Sequence, residues 1–325
     1  MKSSRNRTID TTCEAGGEYL KKSLFPTGEK LSVDAVRDRI ICGDILQTAP
    51  LLPEKSVDLL IADPPYNLTK SFDSTVFKSR SAQDYCEYTR KWLDAVYPLL
   101  KESASVYVCC DWRTSLLIGG VLEEFFILRN RITWQREKGR GAKNNWKNSC
   151  EDIFFATVGK EYEFNLEAVK MRRKVIAPYR QEGKPKDWQA TTAGNYRDSC
   201  PGNFWDDITI PFWSMPENTA HPTQKPEKLI AKLILASSSP GGVVFDPFAG
   251  SGTTAVTAKK LNRHFIAAEI EPRYCIWAQQ RLEMAERDRS IQGFYDGIFY
   301  ERNTMPGRAF PHAGSESGRY SVKKI

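Results

Sequence analysis

The sequence has no apolar run that approaches the roughly 20 residues needed to span a bilayer. Its basic start, residues 1–7, is not followed by an apolar segment, so we expect no secretory signal. The eight cysteines are scattered without a Cys-x-x-Cys pair, and the sequence has neither an internal repeat nor a coiled-coil pattern. These absences favour a cytoplasmic protein with reduced thiols, and they argue against a metal site or a disulfide framework.

The composition is that of a soluble globular protein, with 41% hydrophobic and 27% charged residues. A chain of 325 residues can bury one substantial core and carry a smaller appended lobe. The net charge of +7 suits a polyanionic partner but does not identify one.

A short aliphatic run, Val57–Ala62, ends at the tetrapeptide Asp63-Pro64-Pro65-Tyr66. Such a run predicts a buried strand, which the two prolines then stop. The carboxylate of Asp63 would then lie at the carboxyl end of a strand, where open α/β sheets bind ligands. The rigid carbonyl of Pro64 and the aromatic face of Tyr66 would lie beside it. Two acceptors and a stacking surface suit a planar ring that carries an amino group, although a turn of this kind alone is more often only structural.

A second stretch favours the functional interpretation of the tetrapeptide. Val243–Asp246 predicts another buried strand, residues 247–252 predict a glycine turn, and residues 255–261 predict a helix. Glycines allow the backbone to approach a ligand closely, and the start of a helix offers free N–H groups.

Together the two stretches resemble the amino-methyltransferases of DNA, which use S-adenosylmethionine to methylate an exocyclic nitrogen of a base. In that family the tetrapeptide is the catalytic motif and Phe248-x-Gly250-x-Gly252 is the cofactor motif. The catalytic motif comes first here, as it does in the β class. A third match, His221-Pro222-Thr223-Gln224-Lys225-Pro226, lies between them and resembles the segment that holds the methionine end of the cofactor.

The resemblance implies an α/β fold of the Rossmann-like methyltransferase type. We expect a mostly parallel sheet with helices on both faces, a circularly permuted motif order and an inserted target-recognition region. The expected divisions are an N-terminal extension, a catalytic half, the target-recognition insert, a cofactor-binding half and a C-terminal tail, at residues 1–36, 37–158, 159–215, 216–289 and 290–325. We expect the extension to be peripheral or partly disordered.

The resemblance also implies the site. The expected catalytic residues are Asp63, Pro64, Pro65 and Tyr66. The expected residues for S-adenosylmethionine are Asp44, Asp63, His221, Thr223, Gln224, Lys225, Asp246, Phe248, Ala249, Gly250, Ser251, Gly252, Thr253 and Glu269. Lys225 is expected at the carboxylate of the cofactor and Glu269 at its ribose hydroxyls. For Asp44 a helix cap is an equally good interpretation.

Two basic stretches are candidates for DNA contact. Residues 136–148 form a glycine-broken basic run with a tryptophan, Trp146, after a predicted strand. A second basic group lies in the insert, together with residue types that read base edges. The expected DNA-binding residues are Arg136, Lys138, Arg140, Lys143, Lys147, Arg172, Arg173 and Lys174. Residues 67–80 are expected to form a loop where a lid would lie, and residues 81–101 a helix whose aromatic residues join the core.

The function that follows is methylation of adenine N6 in duplex DNA, with the target base flipped out. The expected partners are duplex DNA and a cognate restriction endonuclease, and the expected assembly is a monomer or a homodimer. Cytosine N4 is the alternative target, although those enzymes more often have serine in place of Asp63. Enzymes acting on RNA or a protein amide usually begin the tetrapeptide with asparagine and reverse the motif order. A nicotinamide dehydrogenase would need a third glycine, and a non-catalytic DNA-binding subunit would need neither motif.

Overall fold

The computed structural model describes residues 3–136, 144–175, 180–191, 194–302 and 304. The helices within these residues are α1 (Gly17–Leu20), α2 (Val33–Val36), α3 (Ile45–Thr48), α4 (Ala82–Val96), α5 (Trp112–Phe125), α6 (Glu227–Ser237), α7 (Thr253–Lys260) and α8 (Pro272–Arg287). Short 3-10 helices occur at Ala49–Leu51, Tyr97–Leu99 and Glu167–Val169. None of the described helices is long and apolar enough to cross a membrane.

The strands within the same residues are β1 (Arg39–Cys42), β2 (Val57–Ala62), β3 (Lys70–Phe72), β4 (Thr75–Phe77), β5 (Leu100–Cys110), β6 (Ile127–Gln135), β7 (Cys150–Thr157), β8 (Met171–Lys174), β9 (Arg180–Gln181), β10 (Lys184–Pro185), β11 (Gln189–Thr191), β12 (Gly194–Ser199), β13 (Phe204–Trp205), β14 (Val243–Asp246), β15 (His264–Glu269), β16 (Phe294–Tyr295) and β17 (Ile298–Tyr300).

The central sheet has the order β1-β15-β14-β2-β5-β7-β6-β13. The first five of these strands are parallel to one another, and β13 is parallel to β6. Only β7 runs in the opposite direction, because it pairs antiparallel with both β5 and β6. The predicted mostly parallel sheet is therefore confirmed.

Helices cover both faces of this sheet, and strand periodicity explains how. In β2, Leu60 and Ala62 pack into a core with α4 and α5, whereas Leu59 and Ile61 pack into a core with α6, α7 and α8. Side chains of a strand alternate between faces, so a strand buried on both faces requires apolar residues at successive positions, as residues 59–62 provide after the partly buried Asp58.

The predicted helix at residues 81–101 is shorter than expected. It ends as α4 at Val96, a 3-10 turn containing Pro98 follows, and β5 begins at Leu100. Proline within this apolar pattern is not compatible with a continuing helix interior, because it lacks the N–H that the helix needs. Residues 67–80, expected to be a loop, contain the β3–β4 hairpin.

A second, five-stranded sheet has the order β11-β12-β8-β17-β16. Three of its strands come from the predicted insert, but β16 and β17 come from residues that we expected to be a tail. Tyr300 pairs with Arg172 across β17 and β8. The expectation of a tail from residue 290 was therefore wrong for residues 294–300, because short strands whose pairing partner is distant in sequence give little local signal.

The expected N-terminal extension is also packed on the fold. α1 contacts α8, where a Cβ on Gly16 would lie 2.4 Å from Ile276. The indole N–H of Trp277 donates to the carbonyl of Thr11 at 2.9 Å, and Leu24 forms a parallel bridge with Ile41. The expected partial disorder does not describe residues 3–36.

Candidate active site

Four strands bring their functional ends to one edge of the central sheet. β2 leads into Asp63, β14 ends at Asp246 and β15 ends at Glu269. Because β7 runs the other way, its first residues, including Glu151, lie at this same edge. A cavity of about 860 Å³ opens there, and its wall contains all four side chains. The volume is within the usual range of small-molecule clefts.

The cavity wall contains nearly the whole predicted site. It includes the complete tetrapeptide and, of the residues expected to bind the cofactor, Asp44, Asp63, His221, Thr223, Gln224, Lys225, Asp246, Phe248, Ala249, Gly250, Ser251, Thr253 and Glu269. Gly252 does not line the cavity. A Cβ there would lie 2.5 Å from the Cβ of Ala278, so this glycine allows α7 to pack closely against α8.

Gly250 has a different role in the same turn. Its φ of +52° is in the left-handed region, and a Cβ would lie 3.0 Å from Nε2 of His221. Its amide donates to Oε2 of Glu269 at 2.7 Å. A side chain at this position would therefore strain the backbone and press on a ring that is also in the cavity wall.

Two carboxyl groups in the wall are deeply buried. Burial raises the pKa of Glu269 to about 7, although the amides of Glu271 and Gly250 donate to it. Burial likewise raises the pKa of Asp246 to about 7. Asp44 accepts the amide of Leu46 at 2.9 Å as the cap of α3, and it also lines the cavity. Both interpretations of Asp44 are thus compatible with the structure.

Helix α4 supports the catalytic and cofactor motifs together. The hydroxyl of Tyr85 donates to the carbonyl of Pro65 at 3.0 Å, and Trp92 packs edge-on against Phe248 at 5.3 Å between ring centroids. Both α4 side chains are buried, as we predicted for its aromatic residues, whereas Tyr88 is partly buried and lines the cavity. Because α4 contacts both turns, their relative position is fixed by the core.

Lys225 lines the cavity and contacts the catalytic motif, and its place at the carboxylate of the cofactor stays a prediction. We expected its ammonium at the carboxylate of the cofactor. In the structure Nζ lies 2.5 Å from Oδ2 of Asp63 and 3.1 Å from the hydroxyl of Tyr66. The same hydroxyl donates to Oδ1 of Asp63, at 2.9 Å. Lys225 is therefore part of the catalytic motif's own hydrogen-bond network.

Glu151 is the site residue that the sequence did not reveal. Its Oε2 lies 3.1 Å from the hydroxyl of Tyr66 and 3.3 Å from Nζ of Lys225, and its Oε1 accepts from Arg136. Burial alone would raise the pKa of Glu151, but Lys225 and Arg136 lower it below the ordinary value. The missing signal was the direction of β7, since only an antiparallel strand brings its first residues to this edge.

The residues expected to contact DNA are not in one environment. Arg136 pairs with Glu151 in the cavity wall, so it belongs to the site. Arg172 pairs with Asp198 at 2.7 Å and Arg173 with Asp206 at 3.2 Å. Lys147 and Lys174 are exposed, whereas Lys138, Arg140 and Lys143 lie outside the described residues. Contact with DNA stays a prediction for all of them.

The β3–β4 hairpin, in the segment expected as a lid, forms part of the cavity wall through Lys70, Phe72, Val76 and Phe77. The connection between its strands is fastened to the start of α8. The hydroxyl of Ser74 lies 2.8 Å from both carboxylate oxygens of Glu271, and Asp73 pairs with Arg273 at 3.0 Å.

Comparison with known proteins agrees with this geometry. Residues 57–280 match the family model described as DNA methylase, for N6 and N4 methyltransferases. The type II methyltransferase M.HpaI of Haemophilus parainfluenzae is 32% identical over 248 residues, covering 75% of this chain and 74% of the relative. The DNA adenine methyltransferase YhdJ of Escherichia coli (strain K12) is 33% identical over 253 residues, covering 76% of this chain and 83% of the relative.

Solved structures share the fold. The cytosine-N4-specific PvuII DNA methyltransferase matches with a TM-score of 0.57 and 18% identity, covering 82% of this chain and 94% of that one. The M1.HpyAVI–SAM complex matches with a TM-score of 0.52 and 24% identity, covering 75% and 98%. The family model spans more than half of the chain and includes both motifs that meet at the cavity, so the chain belongs to the DNA methylase family of N6 and N4 methyltransferases.

Proposed function

We propose that the chain transfers a methyl group from S-adenosylmethionine to N6 of adenine in duplex DNA. One observation carries this function: the carboxylate of Asp63 and the glycine turn at Gly250 are walls of the same cavity. A methyltransferase needs a base acceptor and a cofactor site within reach of each other, whereas a DNA-binding subunit needs neither.

The residues of the cavity fit the cofactor. Carboxyl groups at Glu269 and Asp246 suit hydroxyl donors and a positively charged ligand, and Gly250 leaves the backbone of the turn uncovered by a side chain. When bound, S-adenosylmethionine supplies an activated methyl group on a positively charged sulfonium. Glu269 is expected to hold its ribose hydroxyls.

Asp63 and Pro64 act on the target amine. An exocyclic amine is a poor nucleophile because its lone pair is delocalised into the ring. Hydrogen bonds from its two protons to the Asp63 carboxylate and the Pro64 carbonyl favour a tetrahedral nitrogen with a localised lone pair. Fixed acceptors and correct orientation are the main contributions of the protein.

Tyr66 provides the surface on which the base would stack. A base inside a duplex cannot reach a cavity at the edge of a sheet, so the target must be flipped out of the helix. The hydroxyl of Tyr66 is held by Asp63 and Lys225, which fixes the direction of its ring.

Adenine is favoured over cytosine by two features. The tetrapeptide begins with Asp63, where cytosine-N4 enzymes more often have serine. A relative named as a DNA adenine methyltransferase is 33% identical over most of both chains, whereas the cytosine-N4 enzyme, at 18% identity, supports the fold alone.

The second sheet is the proposed region for target recognition, with β8, β11 and β12 from the insert and β16 and β17 from residues 294–300. The basic residues expected to bind DNA would hold phosphates there and near the cavity. A paired restriction endonuclease fits relatives named as type II methyltransferases. We propose a cytoplasmic enzyme that is a monomer or a homodimer.

The test is transfer of label from methyl-labelled S-adenosylmethionine to a duplex library of random sequence. We expect label in the DNA, and sequencing of modified positions should give one short target. Binding of cofactor without label in any duplex would contradict the proposal. Grafting the insert of a relative with another target should then change the modified sequence.

A further inference from the structure

Glu151 is a buried carboxylate to which the mechanism above gives no role. Its side chain is only 4% exposed, yet it lines the cavity. A buried carboxylate is costly unless its charge is compensated, and here Lys225 and Arg136 compensate it. Because Glu151 also borders the proposed reaction site, the free-energy cost of burying its charge indicates a functional role.

Glu151 and Asp63 share the same two hydrogen-bond donors. Lys225 lies 2.5 Å from Asp63 and 3.3 Å from Glu151, while the hydroxyl of Tyr66 lies 2.9 Å from Asp63 and 3.1 Å from Glu151. The ammonium has three protons and can serve both carboxylates, whereas the hydroxyl has one proton and can serve one at a time. Any change at Glu151 must therefore change how strongly both donors hold Asp63.

We propose, resting on the methyl-transfer function above, that Glu151 is a positioning residue that orients the Asp63 carboxylate through Lys225 and Tyr66. Because Glu151 contacts both donors, it fixes where they lie, so that Lys225 holds Oδ2 of Asp63 and Tyr66 holds Oδ1. Each carboxylate oxygen has more than one lone pair, so these two contacts orient the carboxylate without using all of its acceptor capacity. Lone pairs of Asp63 then remain available to the target amine. Arg136 pairs with Glu151, so the charges of the two carboxylates, Asp63 and Glu151, are compensated by two cations, Lys225 and Arg136.

Asp152 is a matched control on the same strand. It is also buried and acidic, but it does not line the cavity. Its Oδ1 accepts from the hydroxyl of Thr133 at 2.7 Å and lies 3.9 Å from Arg131, on the side of β6. Glu151→Gln and Asp152→Asn remove the same charge from adjacent buried positions, and only the first faces Asp63.

The experiment compares the two variants with the wild type in methyl transfer to duplex DNA. For Glu151→Gln we expect kcat to fall by about a hundredfold, as small errors of orientation do. The dissociation constant for S-adenosylmethionine, the KM for DNA and the melting temperature should stay near wild type. Asp152→Asn should keep the wild-type kcat. A wild-type kcat in folded Glu151→Gln would overturn the proposal.

Two further variants distinguish positioning from simple structural support. Combining Glu151→Gln with Lys225→Met should cost little more than either change alone, because the residues act as one unit; fully multiplicative losses would overturn the proposal. If Glu151→Gln does not fold, the same kinetic comparison is made with Tyr66→Phe. This variant keeps the stacking ring and removes the hydroxyl that Asp63 and Glu151 share. Reduced kcat with unchanged KM for DNA supports the proposal, and an unchanged kcat overturns it.

Failure of this inference can be distinguished from failure of the proposed function. A wild-type protein that methylates no DNA would overturn the proposed function itself. Normal wild-type activity together with a fully active Glu151→Gln variant would overturn this inference alone.

Discussion

Two charge clusters contain lysines that lie a few residues apart in sequence, but the surroundings of the two clusters differ. The cavity cluster consists of Asp63, Glu151, Lys225 and Arg136. The sealed cluster consists of Asp207, Lys228 and Lys232, and none of its members lines the cavity. Lys225 precedes helix α6, and Lys228 and Lys232 lie on it. The same residue types, close together in sequence, therefore serve different purposes.

The sealed cluster connects residues 300–302 to the core. Lys232 lies 2.7 Å and 2.9 Å from the two carboxylate oxygens of Asp207. Lys228 donates to the carbonyls of Asp207, Tyr300 and Arg302. In the cavity cluster, by contrast, the side chain of Asp63 remains 22% exposed and can meet a ligand. Access to the cavity, and not buried charge as such, separates a reaction site from a structural anchor.

The largest expected effect is on activity and comes from Asp63. Asp63→Ala should reduce the rate of methyl transfer by at least about a hundredfold, because the preorganised acceptor for the target amine is lost. The fold should remain intact. Asp58→Asn is the control. Asp58 also lies on β2, but its carboxylate lies 2.7 Å from Nζ of Lys101, and neither residue lines the cavity. Substantial turnover in Asp63→Ala would reject Asp63 as the amine acceptor.

The second effect should be on stability and comes from the sealed cluster. Asp207→Asn leaves two buried ammonium groups without a carboxylate, which should lower the free energy of unfolding by about 3–5 kcal/mol. Denaturant unfolding measures this. The neighbouring Asp206→Asn removes an ion pair that is about half exposed, so it should change stability by less than about 1 kcal/mol. Equal stability of the two variants would contradict the anchor role.

A third change tests the cofactor wall. Gly250→Val should prevent binding of S-adenosylmethionine, since its side chain meets His221 and its φ of +52° disfavours any side chain. Calorimetry measures this binding. Gly120→Ala is the control, because a Cβ there has no neighbour within 4 Å. Normal binding by a folded Gly250→Val protein would make the turn merely structural.

A smaller effect should come from pH. The pKa values of Glu269 and Asp246 are raised to about 7 by burial, so below pH 7 these groups hold protons in the free protein. A cationic cofactor with hydroxyl donors favours their charged forms. Affinity should therefore rise between about pH 6 and 8, by up to about tenfold per pH unit for each group that loses its proton. Glu269→Gln should flatten this dependence, and affinity independent of pH would contradict it.

The smallest effect should be on salt dependence. Neutralising Lys138, Arg140, Lys143 and Lys147 should reduce the slope of DNA affinity against salt by about 0.9 for each phosphate that the protein no longer neutralises. Arg136 should stay intact in this test, because its removal would disturb Glu151. Affinity measured at several salt concentrations gives the slope. An unchanged slope would move the phosphate-binding role to Arg172, Arg173 and Lys174.

The cavity could be predicted from sequence to a large extent, for a physical reason. Asp63 and Gly250 follow short aliphatic strands, and both the periodicity and the turn residues are local signals. The resemblance to DNA amino-methyltransferases assigned these two patterns to one site. Parallel strands bring their carboxyl ends together at one edge, which explains why the two motifs meet there.

Glu151, the contact of Lys225 with Asp63 and the second sheet could not be predicted in this way. The position of Glu151 depends on β7 being antiparallel, and the sequence of β7 does not encode its direction. The same limit applies to β17, whose partner β8 is more than a hundred residues away. Lys225 and Lys228 look alike in sequence, and it is the packing of Asp207 and residues 300–302 that buries Lys228 away from the cavity.

The most direct test of the account is to identify the nucleoside that the wild-type protein methylates. Duplex DNA is incubated with S-adenosylmethionine, digested to nucleosides and analysed by mass spectrometry, with Asp63→Ala as the negative control. The account predicts N6-methyladenine with the wild type and none with the variant. N4-methylcytosine from the wild type, or N6-methyladenine from Asp63→Ala at the wild-type level, would contradict it.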